Sequence, residues 1–306
     1  KRGLIALFVL WGKPIRSVIH MNIQWYAGHM GKAKRKIAEE LKLVDVVIEL
    51  LDARIPISSR NPEVDEIVGN KKRIIVLNKS DLADPSVNAK WVNYFNRENT
   101  KAILVNSMKG SGLKDVLSAS KQLMKEKLDR LRSKGMLLKT TRALIIGIPN
   151  VGKSTFINKL AGRSAAQTGD RPGVTKSKQW IKVSPELELL DTPGILWPKF
   201  EDKRAGMYLA FTGAIKDEIL DVNELAINLL QVLAEKFPEK LKGRYKLEEI
   251  PADMTTNMLL ETIGRKRGCI IAGGEVDMLR ASVMLLDEFR GGKIGAITLE
   301  SPEDYQ

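Results

Sequence analysis

A doubly wound α/β domain followed by a smaller all-helical one is the architecture this sequence predicts. Three features carry the expectation: short β-branched apolar runs, helical patterns alternating with them, and the disappearance of convincing strands after about residue 202. Strands buried on both faces read as unbroken apolar runs, and helices between them make the pairing parallel.

In chain order, the first twenty residues, KRGLIALFVLWGKPIRSVIH, stand apart. Their basic pair and apolar run imitate the start of a signal peptide, but the run is too short to span a bilayer and SVIH offers no cleavage site. Residues 1–20 are therefore expected to be a leader, with Met21 as the natural start. No other segment approaches membrane-span length, so no membrane partner is expected. A helical pattern at 29–42 leads into the strand VDVVIELLDAR (44–54). The strands RIIVLN (73–78) and AILVNS (102–107) follow, separated by a helix near 86–98. A basic helix at 112–131 precedes RALIIGI (142–148), and a further helix is expected at 152–161. KQWIKV (178–183) alternates polar and apolar residues as an edge strand does, and ELELLDT (186–192) closes the sheet. Past DTPGILWPKF the patterns VNELAINLLQVLAEKF, TTNMLLETIG and EVDMLRASVMLLDEFR are helical, with Gly and Pro between them. Residues 21–200 thus form the expected α/β domain and 201–306 the helical one.

Composition narrows the function classes. Apolar residues make up 43% of the 306, normal for a globular protein. One cysteine, Cys269, forms no disulfide within the chain and suits a reducing cytosol, so a cytoplasmic protein is expected. Two histidines and no cysteine cluster argue against zinc. The net charge of +13 is unevenly spread: after residue 215 there are 12 Lys and Arg against 17 Asp and Glu, leaving +18 on the first 215 residues. The stretches 121–142 and 176–182 are the most basic. They suit a polyanion such as RNA, or simply a solvated helix face and a Lys-rich edge strand.

The chemistry sits in loops that follow strands. GIPNVGKS, Gly147 to Ser154, has the spacing of a phosphate loop: backbone N–H groups turn inward around phosphate oxygens and the helix N-terminus adds its dipole. Lys153 is expected on the β- and γ-phosphates and the Ser154 hydroxyl on magnesium. DTPG (191–194) supplies the second half, with Asp191 holding magnesium through water and the Gly194 N–H meeting the γ-phosphate. NKSD (78–81) reads the base, because the Asp81 carboxylate can accept two N–H bonds from guanine that adenine does not offer. SMKGSG (107–112) backs the guanine carbonyl. Thr175, in PGVT, is the candidate switch threonine completing the magnesium shell, with Thr168 as competitor. The expected nucleotide contacts are Asn78, Lys79, Ser80 and Asp81; Ser107, Met108 and Lys109; Pro149, Asn150, Val151, Gly152, Lys153, Ser154 and Thr155; and Thr175 and Gly194. The ligands are GTP and GDP with Mg2+. The base reader precedes the phosphate loop, the reverse of the usual order.

In that order, NKSD, SMK, GIPNVGKS, PGVT and DTPG resemble the circularly permuted ribosome-biogenesis GTPases of the RbgA/YlqF family. The resemblance runs from Met21 to the end and includes WYAGHMGKAKR and LLETIGRKRGCIIAGGEVD. It implies a P-loop GTPase domain of rotated motif order with a helical C-terminal domain. It further implies an assembly factor for the large ribosomal subunit that binds rRNA in the GTP state and leaves on hydrolysis, and a monomer is expected. Ile195 stands where small GTPases carry a water-orienting Gln, and the resemblance gives that role to His29, otherwise readable as an exposed or capping histidine. Related GTPases without the Gln use an Asn in the phosphate loop to bind K+, which makes Asn150 a candidate potassium ligand. Arg265, Lys266 and Arg267, on a turn between helices, are the local RNA candidates in an acidic domain, or a solvated turn. Two other readings stay open: a GTPase of tRNA modification or translation, and a signalling module whose helical domain binds a protein effector.

Overall fold

The computed structural model describes residues 37–135, 140–162, 179–191, 202–215 and 217–305. Within them the strands are β1 (Val46–Asp52), β2 (Lys72–Asn78), β3 (Thr100–Val105), β4 (Thr141–Gly147), β5 (Gln179–Ser184) and β6 (Leu187–Asp191). They form one sheet in the order β3-β2-β1-β4-β6-β5. All neighbours are parallel except β5, which runs antiparallel to β6 at the edge, as its alternating sequence predicts.

The helices are α1 (described over 37–41), α2 (Val64–Val68), α3 (Pro85–Phe95), α4 (Leu113–Ser133) and α5 (Lys153–Ala161). β1 shows why the fold is layered, since all seven of its residues are buried. Val46, Ile48 and Leu50 face one side and pack with Val116 and Leu123 of α4 and Phe156 and Ile157 of α5. Val47 faces the other side with Ile37 and Leu41 of α1 and Val64 and Val68 of α2. Leu51 joins Leu77 of β2 and Trp91 and Phe95 of α3 on that side. A residue period of two thus sends alternate side chains of one strand to two different helix layers.

The chain runs outward from β1 through β2 to β3, then returns to the opposite side of β1 as β4. The crevice between β1 and β4, at the carboxyl ends of the strands, is where an open α/β sheet binds its ligand. Register brings the loops together there: Asp52 pairs with Asn78, Asn78 with Val105, and Leu50 with Gly147.

The C-terminal part holds α6 (Lys203–Phe211), α7 (Val222–Lys236), α8 (Pro238–Tyr245), α9 (Thr256–Lys266) and α10 (Met278–Arg290), with no strand among its described residues. Side chains of Asp202, Asp221, Thr255 and Asp277 cap α6, α7, α9 and α10 by accepting N–H bonds from the first turn. Leu225, Leu229 and Leu233 of α7 recur every four residues and pack with Leu285 and Phe289 of α10 and Ile263 of α9. This bundle shares one continuous apolar core with the α4 and α5 side of the sheet.

Beyond α10 the chain turns back to the α/β part. The Ile297 amide donates to the Leu82 carbonyl (2.9 Å) and the Leu299 amide to that of Arg54 (2.8 Å). The Glu300 carboxylate accepts from the Ile57 amide (2.7 Å), the Ser58 hydroxyl and the Tyr305 hydroxyl (3.0 Å), while Trp91 Nε1 donates to the Glu300 carbonyl (3.1 Å).

Candidate nucleotide-binding site

Asn78, the last residue of β2, joins three loops. Its side-chain Nδ2 donates to the Val151 carbonyl (2.8 Å) in the segment after β4. Its Oδ1 accepts from the Ser107 hydroxyl (2.7 Å) and amide (3.2 Å) after β3. Asn78 and Ser107 are both buried, so these bonds replace water for every polar atom involved. The phosphate loop can come this close only because residue 152 is glycine. At φ +98° a Cβ there would lie 2.5 Å from Asn78 Nδ2.

Lys79 sits in the left-handed region at φ +57°, which turns its side chain across the phosphate loop. Its Nζ donates to the Asn150 carbonyl (2.9 Å) and pairs with Asp52 Oδ2 (3.1 Å) at the end of β1. Asp52 is itself buried and clasped by Arg54, whose Nε lies 2.9 Å from Oδ1 and Nη2 2.7 Å from Oδ2. Burial alone would raise the Asp52 pKa, but the Arg54 and Lys79 cations outweigh it and hold the carboxyl well below its ordinary 3.8. Ser80 is anchored by its amide to Val105 O (3.1 Å) and by its carbonyl to Asn88 Nδ2 (3.0 Å), and Asp81 beside it is exposed.

In the phosphate loop, Val151 is buried, Pro149 half-buried, and Asn150 exposed at φ +57°. The Asn150 Nδ2 donates to the Gly213 carbonyl just past α6, linking the loop to the helical part (2.9 Å). Lys153 opens α5, and its Nζ donates to the Gly147 (2.9 Å) and Ile148 (2.7 Å) carbonyls, so its charge is held against the loop. Ser154 and Thr155 are half-buried in the same first turn. Asp191 ends β6, the strand next to β4. Met108 and Lys109 are exposed at the tip of a turn whose Lys109 amide donates to Asn106 Oδ1 (2.9 Å). The structure thus brings the 78–81, 107–109 and 147–155 segments to one edge of the sheet. His29, Thr175 and Gly194, with the competitor Thr168, lie outside the described residues. So do Ile195 and the leader.

The three basic RNA candidates differ in setting from the expectation. Arg265 and Lys266 complete the last turn of α9 and Arg267 is its C-cap, rather than lying on an open turn. Arg265 pairs with Glu261 (3.3 Å), Lys266 Nζ donates to the Lys246 carbonyl (2.7 Å), and Arg267 pairs with the buried Glu288 (2.9 Å). The helix continues because its final carbonyls favour cations in the last turn.

Asp52, Arg54 and Asn88 were not singled out from the sequence. The only sequence signal for the first two is an acidic and a basic residue closing an otherwise apolar strand, in LLDAR. No helix among the described residues is long and apolar enough to cross a membrane.

A family model described as 50S ribosome-binding GTPase matches residues 142–258, beginning inside β4 and therefore leaving out the earlier base reader. Ribosome biogenesis GTPase A of Bacillus cereus is 53% identical over 93% of this chain and 96% of its own length. The protein of that name from Thermotoga maritima is 34% identical over 92% and 95%. Among solved structures, GDP-bound TM YlqF superposes with a TM-score of 0.63 at 29% identity, over 88% of this chain and all of that one. GNP-bound YlqF from T. maritima gives 0.59 at 30% identity over 89% and 99%. With the rotated motifs joined through Asn78 and relatives matched along nearly their whole length, this chain belongs to the ribosome biogenesis GTPase A family.

Proposed function

We propose that this GTPase is an assembly factor for the large ribosomal subunit, binding rRNA with GTP in place and leaving when hydrolysis is stimulated there. The observation that carries the nucleotide reading is Asn78, which bonds at once to the phosphate loop and to the backing loop of the base pocket. Guanine then lies against Asp81 and Ser107, with Met108 at the rim, and the phosphates lie along Pro149–Thr155 with Lys153 neutralising them. The Gly194 amide meets the γ-phosphate.

Magnesium suits oxygen donors such as Ser154 in the first turn of α5 and Asp191 at the end of the strand beside β4, and Thr175 is proposed to complete its shell. When bound, the ion neutralises charge on the transferring phosphoryl group. Asn150 is the proposed potassium ligand through its Oδ1, while its Nδ2 holds Gly213. Ile195 cannot orient water, so His29 is proposed to do so when the ribosomal partner brings it in. The charge of +18 on the first 215 residues supports an RNA partner, and relatives named for ribosome biogenesis support the subunit. Arg265, Lys266 and Arg267 are proposed RNA contacts through whichever donors their intramolecular bonds leave. The division at 200/201 and monomeric action in the cytoplasm complete the reading.

GTP turnover measured with and without purified large subunits tests it. Stimulation by at least about 100-fold, the size a positioned acid–base group supplies, is expected. Turnover indifferent to the subunits, or stimulated equally by small subunits, would remove the assembly role.

A further inference from the structure

The loop that carries Asp81 is anchored on one side only by the α/β part. Ser80 is tied to β3 and α3, as described. On the other side, the Leu82 carbonyl accepts from the Ile297 amide (2.9 Å), and the Asp84 amide donates to the Thr298 hydroxyl (2.9 Å). Lys240 of α8 steadies the tail by donating to the Ala296 carbonyl. The Leu82 side chain rests where residue 292 has none: a Cβ there would lie 2.7 Å from Leu82 Cδ2. Further out, Glu300 and Glu303 continue the attachment to Ser58 and Lys90. Asp81 is therefore flanked by Ser80, fixed by its own domain, and by Leu82, whose amide donates to the Lys79 carbonyl (2.9 Å) while its carbonyl is held by a segment more than 200 positions later.

Resting on the guanine reading of Asp81, we propose that residues 292–300 are a positioning element for base recognition. They hold Leu82–Asp84 so that the Asp81 carboxylate faces the guanine N1–H and 2-amino groups, which couples guanine affinity to the docking of the C-terminal tail. An acceptor aimed at two N–H groups is sensitive to small displacement, because hydrogen bonds weaken steeply off line. Coupling is reciprocal: whatever loosens the tail weakens the grip on guanine, and guanine binding steadies the tail. The phosphate end meets the helical part elsewhere, through Asn150 and Gly213, and not through residues 292–300, so it is left out of this coupling.

The test compares GDP with inosine diphosphate, which lacks the 2-amino group, in the full chain. Thr298→Val removes the acceptor of the Asp84 amide, and GDP affinity should fall by about three- to tenfold, the worth of one hydrogen bond. Inosine diphosphate keeps N1–H but has one bond fewer to lose, so its affinity should fall less, the GDP preference narrows, and Thr298→Ser should restore it. A variant that lost both affinities equally would show a merely structural role and overturn the proposal, as would an unchanged preference. Amide hydrogen exchange on the unaltered protein gives an independent reading: GDP should slow exchange at Ile297 and Leu299, and no change there would also overturn it. If the unaltered protein itself binds GDP without preference over inosine diphosphate, the guanine reading of Asp81 falls first and the tail proposal with it.

Discussion

The proposed base reader, Asp81, would choose the base by chemistry that one atom can reverse. A carboxylate offers two acceptors to the N1–H and 2-amino groups of guanine, whereas an asparagine amide offers one acceptor and one donor. Xanthine presents N1–H and a 2-oxo group, the complement of that amide. Asp81→Asn is therefore expected to weaken GDP binding by about 100-fold or more and to favour xanthosine diphosphate over GDP, read by competition against a fluorescent nucleotide. His29 belongs to this scale too. His29→Ala should slow subunit-stimulated hydrolysis by about 100-fold and leave GTP affinity nearly intact; equal loss of both would point to a structural histidine. Asp52 is tested by acid. Its pKa is depressed, so its contribution to stability is present above the ordinary 3.8 and is lost as pH falls below that toward the folded value. Asp52→Asn leaves Arg54 and Lys79 buried without their carboxylate, and urea titrations at pH 7 should show a loss of about 3 kcal/mol. The gap between variant and parent should close as pH drops below 3.8, and a gap independent of pH would refute the ionic account.

At the scale of elements, the ends of helices do the joining. Arg290, the last residue of α10, donates through Nε to the Phe211 carbonyl (3.1 Å) and through Nη2 to that of Ala210 (3.0 Å), which also accepts from the Gly213 amide (3.1 Å), at the C-terminal end of α6. The same guanidinium makes two bonds to Asp217 (2.6 and 2.7 Å), and the Arg290 carbonyl accepts from Arg54 Nη1 (3.4 Å). One side chain thus closes α6 and orders the turn after it, two residues before the Gly213 that holds Asn150 of the phosphate loop. Arg290→Met keeps much of the apolar stem and removes the guanidinium's bonds, so a loss of about 2–3 kcal/mol in denaturant unfolding is expected, with weaker GDP binding through the released loop. Stability unchanged within about 0.5 kcal/mol would show the clasp to be idle.

For the whole molecule, what was legible in the sequence followed burial. β1, β2 and β4 are covered on both faces and so read as unbroken apolar runs, and β5 betrayed its edge position by alternation. The three loops that Asn78 unites were legible because phosphate and guanine chemistry fixes residue types at short spacings. α2 was not, at five residues, and α8 hid because PEKLKGRY buries only Leu241 and Tyr245 among charged neighbours. The return of residues 297–305 to the α/β part left no pattern, since backbone amides and lone side chains make those contacts across more than 200 residues. The charge asymmetry belongs to this scale as well. With +18 on the first 215 residues, binding to large subunits should weaken at least about tenfold between 50 and 200 mM salt. Salt-indifferent binding would favour a protein contact over RNA.

The central claim is that segments spelled in rotated order meet on one nucleotide, and a crystal structure with GDP bound tests it most directly. The guanine N1 and 2-amino nitrogens should lie within about 3 Å of the Asp81 carboxylate, with the diphosphate within the same reach of Lys153 Nζ. A purine placed away from Asp81, or a diphosphate away from Lys153, would contradict it.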